Sequence, residues 1–151
     1  MIDFYANRVT FASSADSFGT KRIMYEARRL PTTFKDNTFI IEPVFSNGVT
    51  KKFEVDFGFN GMAILPSKDF EEISLPEKKF NSDVSFKTPA GRHLLKNTTS
   101  HEKISLGTDS VFFMFSTNDK VSESVVGLSF FRQFEFVILD YPNKQIYVSR
   151  F

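Results

Sequence analysis

Val55-Asp56-Phe57-Gly58 ends a strand-like run and leads, through Gly61, into a short apolar stretch, Met62-Ala63-Ile64-Leu65. Roughly seventy residues later two β-branched residues again run into a glycine, Val125-Val126-Gly127-Leu128. Upstream, Val49, Phe53 and Val55 share one face of a strand, and Asp56 has the opposite parity. If the strand runs on unbroken, the Asp56 carboxylate points away from their face. Gly58 and Gly61 then allow a sharp departure from the sheet. Asp56 is the candidate catalytic group in a chain otherwise poor in catalytic motifs. The plainer alternative is a turn aspartate that accepts backbone N–H bonds.

The flanking segments read as short strands between turn signals. Residues 39–45 are extended in character, with Pro43 marking an edge or a bulge. Asn47-Gly48 tolerates the positive φ of a tight hairpin turn, and residues 49–55 run back. Ser67 is the expected N-cap of a short helix with Asp69, Glu71 and Glu72 near its positive end. That helix places Phe70 and Ile73 on one face and stops before Pro76. Residues 84–88 and 92–96 form two strands around a tip at Pro89-Ala90-Gly91. Residues 104–106 and 110–115 are strands split by Gly107, and the polar stretch 116–124 is a loop. Residues 128–134 predict two helical turns, with Phe130 and Phe134 spaced i, i+4. Residues 136–140 and 146–148 flank a Tyr141-Pro142-Asn143 turn. Turn signals every ~8–12 residues predict an all-β barrel or sandwich.

Composition sets the outer limits. A chain of 151 residues is most simply one domain, long enough for a proper core. Lys and Arg total 19 against 18 for Asp and Glu, a net charge of +1, which gives no electrostatic reason to expect nucleic acid or a membrane surface. The absence of cysteine excludes disulfides and thiolate metal sites. No apolar run approaches the ~20 residues of a membrane span. Met1-Ile2-Asp3-Phe4 lacks the basic start and long apolar stretch of a signal peptide; a leader already removed, or an excised piece of a longer chain, both stay open. The 20 phenylalanines, with no tryptophan, point to burial in sheets. An aromatic platform for bases or sugars would need interleaved basic residues, which the runs 112–115 and 130–136 almost lack.

Competing motifs fare worse. Asp-Phe-Gly is also the kinase metal-binding phrase, but no glycine-rich phosphate loop or His-Arg-Asp loop accompanies it. His93 and His101 share no ligand spacing with nearby carboxylates, so no metal site is expected. No Gly-x-Ser-x-Gly is present. Asn97-Thr98-Thr99 matches a glycosylation acceptor, which a polar hairpin end explains equally well.

Taken in order, these phrases resemble the retropepsin-like aspartic peptidase lobe, and especially the aspartyl-protease-like domains of bacterial cell-envelope proteins. The likeness covers about residues 30–148 and begins with Leu30-Pro31 before the first strand and Ser46-Asn47-Gly48 before Asp56. Asp56-Phe57-Gly58 matches the catalytic loop. Val125-Val126-Gly127-Leu128-Ser129-Phe130-Phe131 matches the second glycine motif and its short helix, and residues 136–148 match the terminal strand pair. The resemblance implies an all-β, closed-barrel lobe with one or two short helices. It implies Asp56 as the catalytic residue, supported by Phe57, Gly58, Val126 and Gly127. A flap at Pro89, Ala90, Gly91 and Arg92 would contact a peptide or protein substrate. Neither a metal nor another cofactor is expected, and a periplasmic or cell-envelope location follows from the resemblance alone.

The chain departs from the family pattern twice. Thr or Ser normally follows the aspartate, where its hydroxyl helps lock two lobes together, and here Phe57 stands in its place. Only one Asp-x-Gly of this kind is present, so a two-carboxylate site needs a homodimer or a second lobe. Two readings result: an active peptidase lobe, or a degenerate lobe serving as a peptide-binding or structural β-module. The chain also carries an internal echo. Ile2-Asp3-Phe4 followed by Arg8-Val9-Thr10-Phe11 resembles Leu139-Asp140-Tyr141 followed by Gln145-Ile146-Tyr147-Val148. This divides the chain into an N-terminal hairpin at 1–20 and the lobe proper at 21–151. The hairpin is either an unrelated look-alike or the tail of a preceding lobe.

Overall fold

The computed structural model describes residues 1–12, 27–88 and 91–149, and the backbone alone of residues 84–88, 92 and 93. The expected boundary near residue 20 lies outside the described residues. The strands are β1 (Ile2–Asp3), β2 (Arg8–Val9), β3 (Ala27–Leu30), β4 (Thr33–Lys35), β5 (Thr38–Ile41), β6 (Phe53–Asp56) and β7 (Ala63–Ile64). Helix α1 (Ser67–Ile73) and a 3-10 turn (Pro76–Lys78) follow. Next come β8 (Phe80–Asn81), β9 (Val84–Thr88), β10 (Gly91–Leu95), β11 (Thr98–Leu106) and β12 (Asp109–Thr117). The chain ends with β13 (Val125–Gly127), helix α2 (Leu128–Phe131), β14 (Phe136–Asp140) and β15 (Gln145–Ser149).

Three sheets result. The largest has the order β4-β5-β6-β13-β7-β12-β11-β8, the second β2-β1-β14-β15-β3, and β9 pairs with β10 alone. The all-β expectation with two short helices is met. The large sheet curls until Val44, just beyond β5, bridges Ser105 on β11, yet among the described residues its ladder order keeps two open ends at β4 and β8. Pro43 explains the break: it lacks the N–H that would carry β5 onward, so the pairing resumes as that single bridge. Asn47-Gly48 turns as the sequence predicts, with Gly48 at φ 82° and its N–H bonded to the Phe45 carbonyl.

Alternation sets the long ladder of β11 and β12, where Ser100, Glu102 and Ile104 face inward opposite Phe115, Phe113 and Val111. Phenylalanine dominates the interior. Phe113 lies edge-on to Phe53 at 5.3 Å, to Phe130 at 5.7 Å and to Phe45 at 5.9 Å. Edge-to-face rings contribute roughly 0.5–1.5 kcal/mol per pair beyond area burial. The aromatic runs are therefore core, apart from Phe112, which is exposed. The buried Glu102 carboxylate accepts the Ser46 N–H at 2.8 Å and ties the 46–48 turn to β11.

Two local expectations are corrected. Pro66, not Ser67, occupies the N-cap position of α1, and the Ser67 hydroxyl instead shares a 3.1 Å hydrogen bond with Thr117. Helix α2 makes one turn where two were expected, although the Phe130 and Phe134 rings still meet at 5.9 Å. Helix α1 buries Phe70 and Ile73 as its spacing predicts.

Lys51 clamps α1 to the preceding hairpin, reaching Asp69 and Glu72 at 2.7 Å each. Its pKa is raised above the ordinary 10.5, first by the hydrogen bond to Asp69 and then by that to Glu72. A raised folded-state pKa stabilises fully below the unfolded value and loses that contribution as pH rises through the folded value. Lys51→Met is expected to cost about 1 kcal/mol at pH 8. Urea unfolding should show wild type and variant converging as the pH climbs beyond 10.5.

Candidate functional site

The chain leaves β6 at Asp56, loops through residues 57–62 and returns as β7. Strand β13 then inserts between the two. It runs parallel to β6, pairing Val126 with Val55 and Gly127 with Asp56, and antiparallel to β7, pairing Val126 with Ala63. The two phrases that resemble the family motif thus meet side by side.

The loop is locked by backbone bonds from the far segment. Gly127 N–H donates to the Met62 carbonyl (2.9 Å), Leu128 N–H to Phe59 (2.8 Å) and Ser129 N–H to Gly61 (3.2 Å). The Ser129 hydroxyl donates to the Asn60 carbonyl at 2.6 Å. Four consecutive loop carbonyls are thereby satisfied. Gly127 is required by space rather than by its φ of −114°. A Cβ there would lie 2.2 Å from the Phe59 carbonyl oxygen and 2.5 Å from that of Gly61.

Phe59 carries no motif in the sequence, yet its ring covers both glycines. A Cβ on Gly61 would stand 2.3 Å from Phe59 Cζ, and one on Gly127 would stand 2.6 Å from Phe59 Cδ1. The available signal was the Phe59-x-Gly61 spacing, in which a large ring is followed by a residue without a side chain.

Asp56 is exposed, as its parity predicts, and its Oδ1 accepts the Gly58 N–H at 2.7 Å. Among the described residues its other oxygen has no protein donor. The carboxylate borders a cavity of about 600 Å³. One wall of that cavity is residues 55–58, another is residues 139–142, and a third is residues 9–12. Asp140 also borders it, but Asp140 is buried and its two oxygens are taken by the backbone and side-chain N–H groups of Asn143. Among the described residues that line the cavity, no second carboxylate is therefore free to share a proton with Asp56.

Phe57 points toward the core. Its ring lies against Phe131 with centroids 4.7 Å apart and planes 31° from parallel. The position that would carry a lobe-locking hydroxyl is thus half-buried aromatic packing.

Asp56, Phe57, Gly58, Val126 and Gly127 form one constellation. The expected flap falls largely outside what is described. Pro89 and Ala90 lie outside the described residues, of Arg92 the backbone alone is described, and Gly91 sits exposed at φ 129°. Gly91, Leu94 and Leu95 of β10 do not line the cavity. Among the described residues no cluster of three or more His, Asp or Glu side chains is placed to hold a metal ion, and no helix is long and apolar enough to cross a membrane.

Gly127→Ala is expected to cost more than ~4 kcal/mol in urea unfolding, because its Cβ meets backbone that cannot yield. Gly58→Ala places its Cβ 3.1 Å from Asp56 Oδ1, a side-chain atom that can move. It should cost less than ~1 kcal/mol while displacing the carboxylate.

A scan against protein-family models gives no match, and a search of the curated proteins gives none. Among solved structures, a retropepsin-like aspartic protease from Rickettsia conorii superposes with a TM-score of 0.56 at 18% sequence identity. The match spans 81% of this chain and 89% of that one. With a strand inserted between β6 and β7, and with that superposition, the chain is a retropepsin-like domain by fold.

Proposed function

We propose that this chain is one lobe of a retropepsin-like aspartic endopeptidase, in which Asp56 supplies one carboxylate and a second lobe or copy supplies the other. The observation that carries the reading is the placement of an unshared carboxylate beside a 600 Å³ cavity, on a loop held by four bonds from residues 127–129. The likeness to a retropepsin-like aspartic protease supports the same family of chemistry.

One carboxylate cannot perform the reaction alone. Hydrolysis without a covalent intermediate needs a base to activate water and an acid to polarise the scissile carbonyl. Two carboxylates ~3 Å apart divide these tasks by sharing one proton, since like charges that close cannot both ionise easily. Asp56 has the geometry for either role once a second carboxylate faces it. Peptide or protein is the substrate class, with the β9–β10 hairpin as its flap and Pro89 to Arg92 at the flap tip.

The contact of Phe57 with Phe131 favours a second reading, a degenerate lobe that binds peptide or serves as a structural β-module. Removing the locking hydroxyl weakens the grip that brings two lobes into register.

Cleavage of unstructured protein substrates across pH 3–7 separates the two. The peptidase reading expects pepstatin-sensitive cleavage that falls by ~10²–10⁴-fold or more in Asp56→Asn. Cleavage unchanged in that variant would remove Asp56 from the mechanism. Absence of any Asp56-dependent cleavage would leave the binding module.

A further inference from the structure

The echo seen in the sequence is a duplication in space. In the first hairpin Asp3 pairs with Arg8 and Ile2 with Val9; in the last, Asp140 pairs with Gln145 and Leu139 with Ile146. A uniform shift of 137 residues relates the two. The turns are built alike. Asp3 Oδ1 accepts the Ala6 N–H at 2.8 Å, and Asp140 Oδ1 accepts the Asn143 N–H at 3.3 Å. The next residue is left-handed in both, with Asn7 at φ 49° and Lys144 at φ 56°.

Their surroundings differ. Ile146 and Val148 on β15 are fully buried in the core. Their equivalents Val9 and Phe11 are 57% and 92% exposed. On its outer side β15 pairs with β3, Ile146 opposite Leu30, whereas no described residue pairs with the outer side of β2. Since β1 runs antiparallel to β14, the two hairpins sit about a local two-fold axis. The sheet β2-β1-β14-β15-β3 is thus symmetric but for one strand, the counterpart of β3.

We infer that residues 2–9 are the closing hairpin of a second lobe of this fold, one that has no closing hairpin of its own, and that this lobe seats on the outer edge of β2. A second copy of residues 27–149 does not suit the place, because its own β14 and β15 already fill the corresponding position in its sheet. Only a lobe missing that hairpin needs Val9 and Phe11. Residues 9–12 wall the cavity that Asp56 borders, so the lobe that covers them also faces the carboxylate. The inference rests on the lobe reading given above but not on cleavage.

Hydrogen exchange tests it on the polypeptide as its gene encodes it, with residues 1–151 alone as reference. Thr10 N–H is bonded to the Met1 carbonyl at 2.9 Å, so by alternation the Val9 N–H points away from β1. In the gene product the Val9 amide is expected to exchange ~100-fold or more slowly than in residues 1–151. Replacing Val9 and Phe11 together by Lys should abolish that protection while leaving the melting temperature of residues 1–151 within about 1 °C, since neither side chain is buried there. Equal exchange in the two proteins would overturn the inference. So would protection that appears only as residues 1–151 dimerise with concentration, which would assign the edge to a second copy. Protection without peptidase activity would leave the hairpin assignment standing and refute the peptidase reading alone.

Discussion

Three amides and one hydroxyl of residues 127–129, bonded to four successive carbonyls of residues 59–62, hold this molecule's site together. A loop of this kind has no sheet of its own to satisfy its polar groups. An unpaired carbonyl costs up to roughly 1–3 kcal/mol when fully buried and less at the half-buried Phe59, Gly61 and Met62 or the exposed Asn60. The insertion of β13 between β6 and β7 removes that cost and at the same time fixes the backbone from which Asp56 projects. Gly127 is the geometric condition for it, because two carbonyl oxygens occupy the volume a side chain would need. Glycine at 127 and aspartate at 56 are thus parts of one structural unit, brought into register by a parallel pairing across roughly seventy residues of sequence.

The neighbouring aromatics show how stability and function compete at this loop. Phe57 leans on Phe131, which in turn lies edge-on to Phe130 at 5.1 Å, so the loop is continuous with the phenylalanine core. Burial of an aromatic ring stabilises by roughly 1.5–3 kcal/mol. A hydroxyl in its place would forgo that packing and gain a bond only when a second lobe is present. The loop is therefore braced from within its own lobe, by Phe57 against the core and by Phe59 over Gly61 and Gly127. Nothing in that bracing depends on a partner, which is the physical basis for keeping a non-catalytic role beside the peptidase one.

Much of this was legible in the sequence where local chemistry decided the outcome. The 45–49 turn followed from Asn47-Gly48, the helix face from Phe70 and Ile73, and the exposure of Asp56 from its parity against Phe53. The adjacency of the two glycine phrases followed from resemblance, since no periodicity links residues so distant. What escaped were long-range contacts that outbid local propensity. Ser67 has the chemistry of a cap, but Thr117 on β12 offers its hydroxyl a partner. Phe59 reads as one more core phenylalanine until the space above Gly61 and Gly127 is known. The openness of the large sheet at β4 and β8 depends on where pairing stops, which Pro43 hints at on one side alone.

The two hairpins couple the site to whatever covers β2. Strand β14 carries β1 on one side and β15 on the other, and its end runs into residues 139–142, a wall of the Asp56 cavity. Residues 9–12 form another wall from the far hairpin. The cavity is consequently bounded by both halves of a locally two-fold arrangement, and among the described residues its carboxylates, Asp56 and Asp140, both come from residues 27–149. Burying Val9 and Phe11 would thus do more than complete a sheet. It would exclude water from the cavity wall formed by residues 9–12, and a drier site strengthens every electrostatic interaction that a second carboxylate could make there.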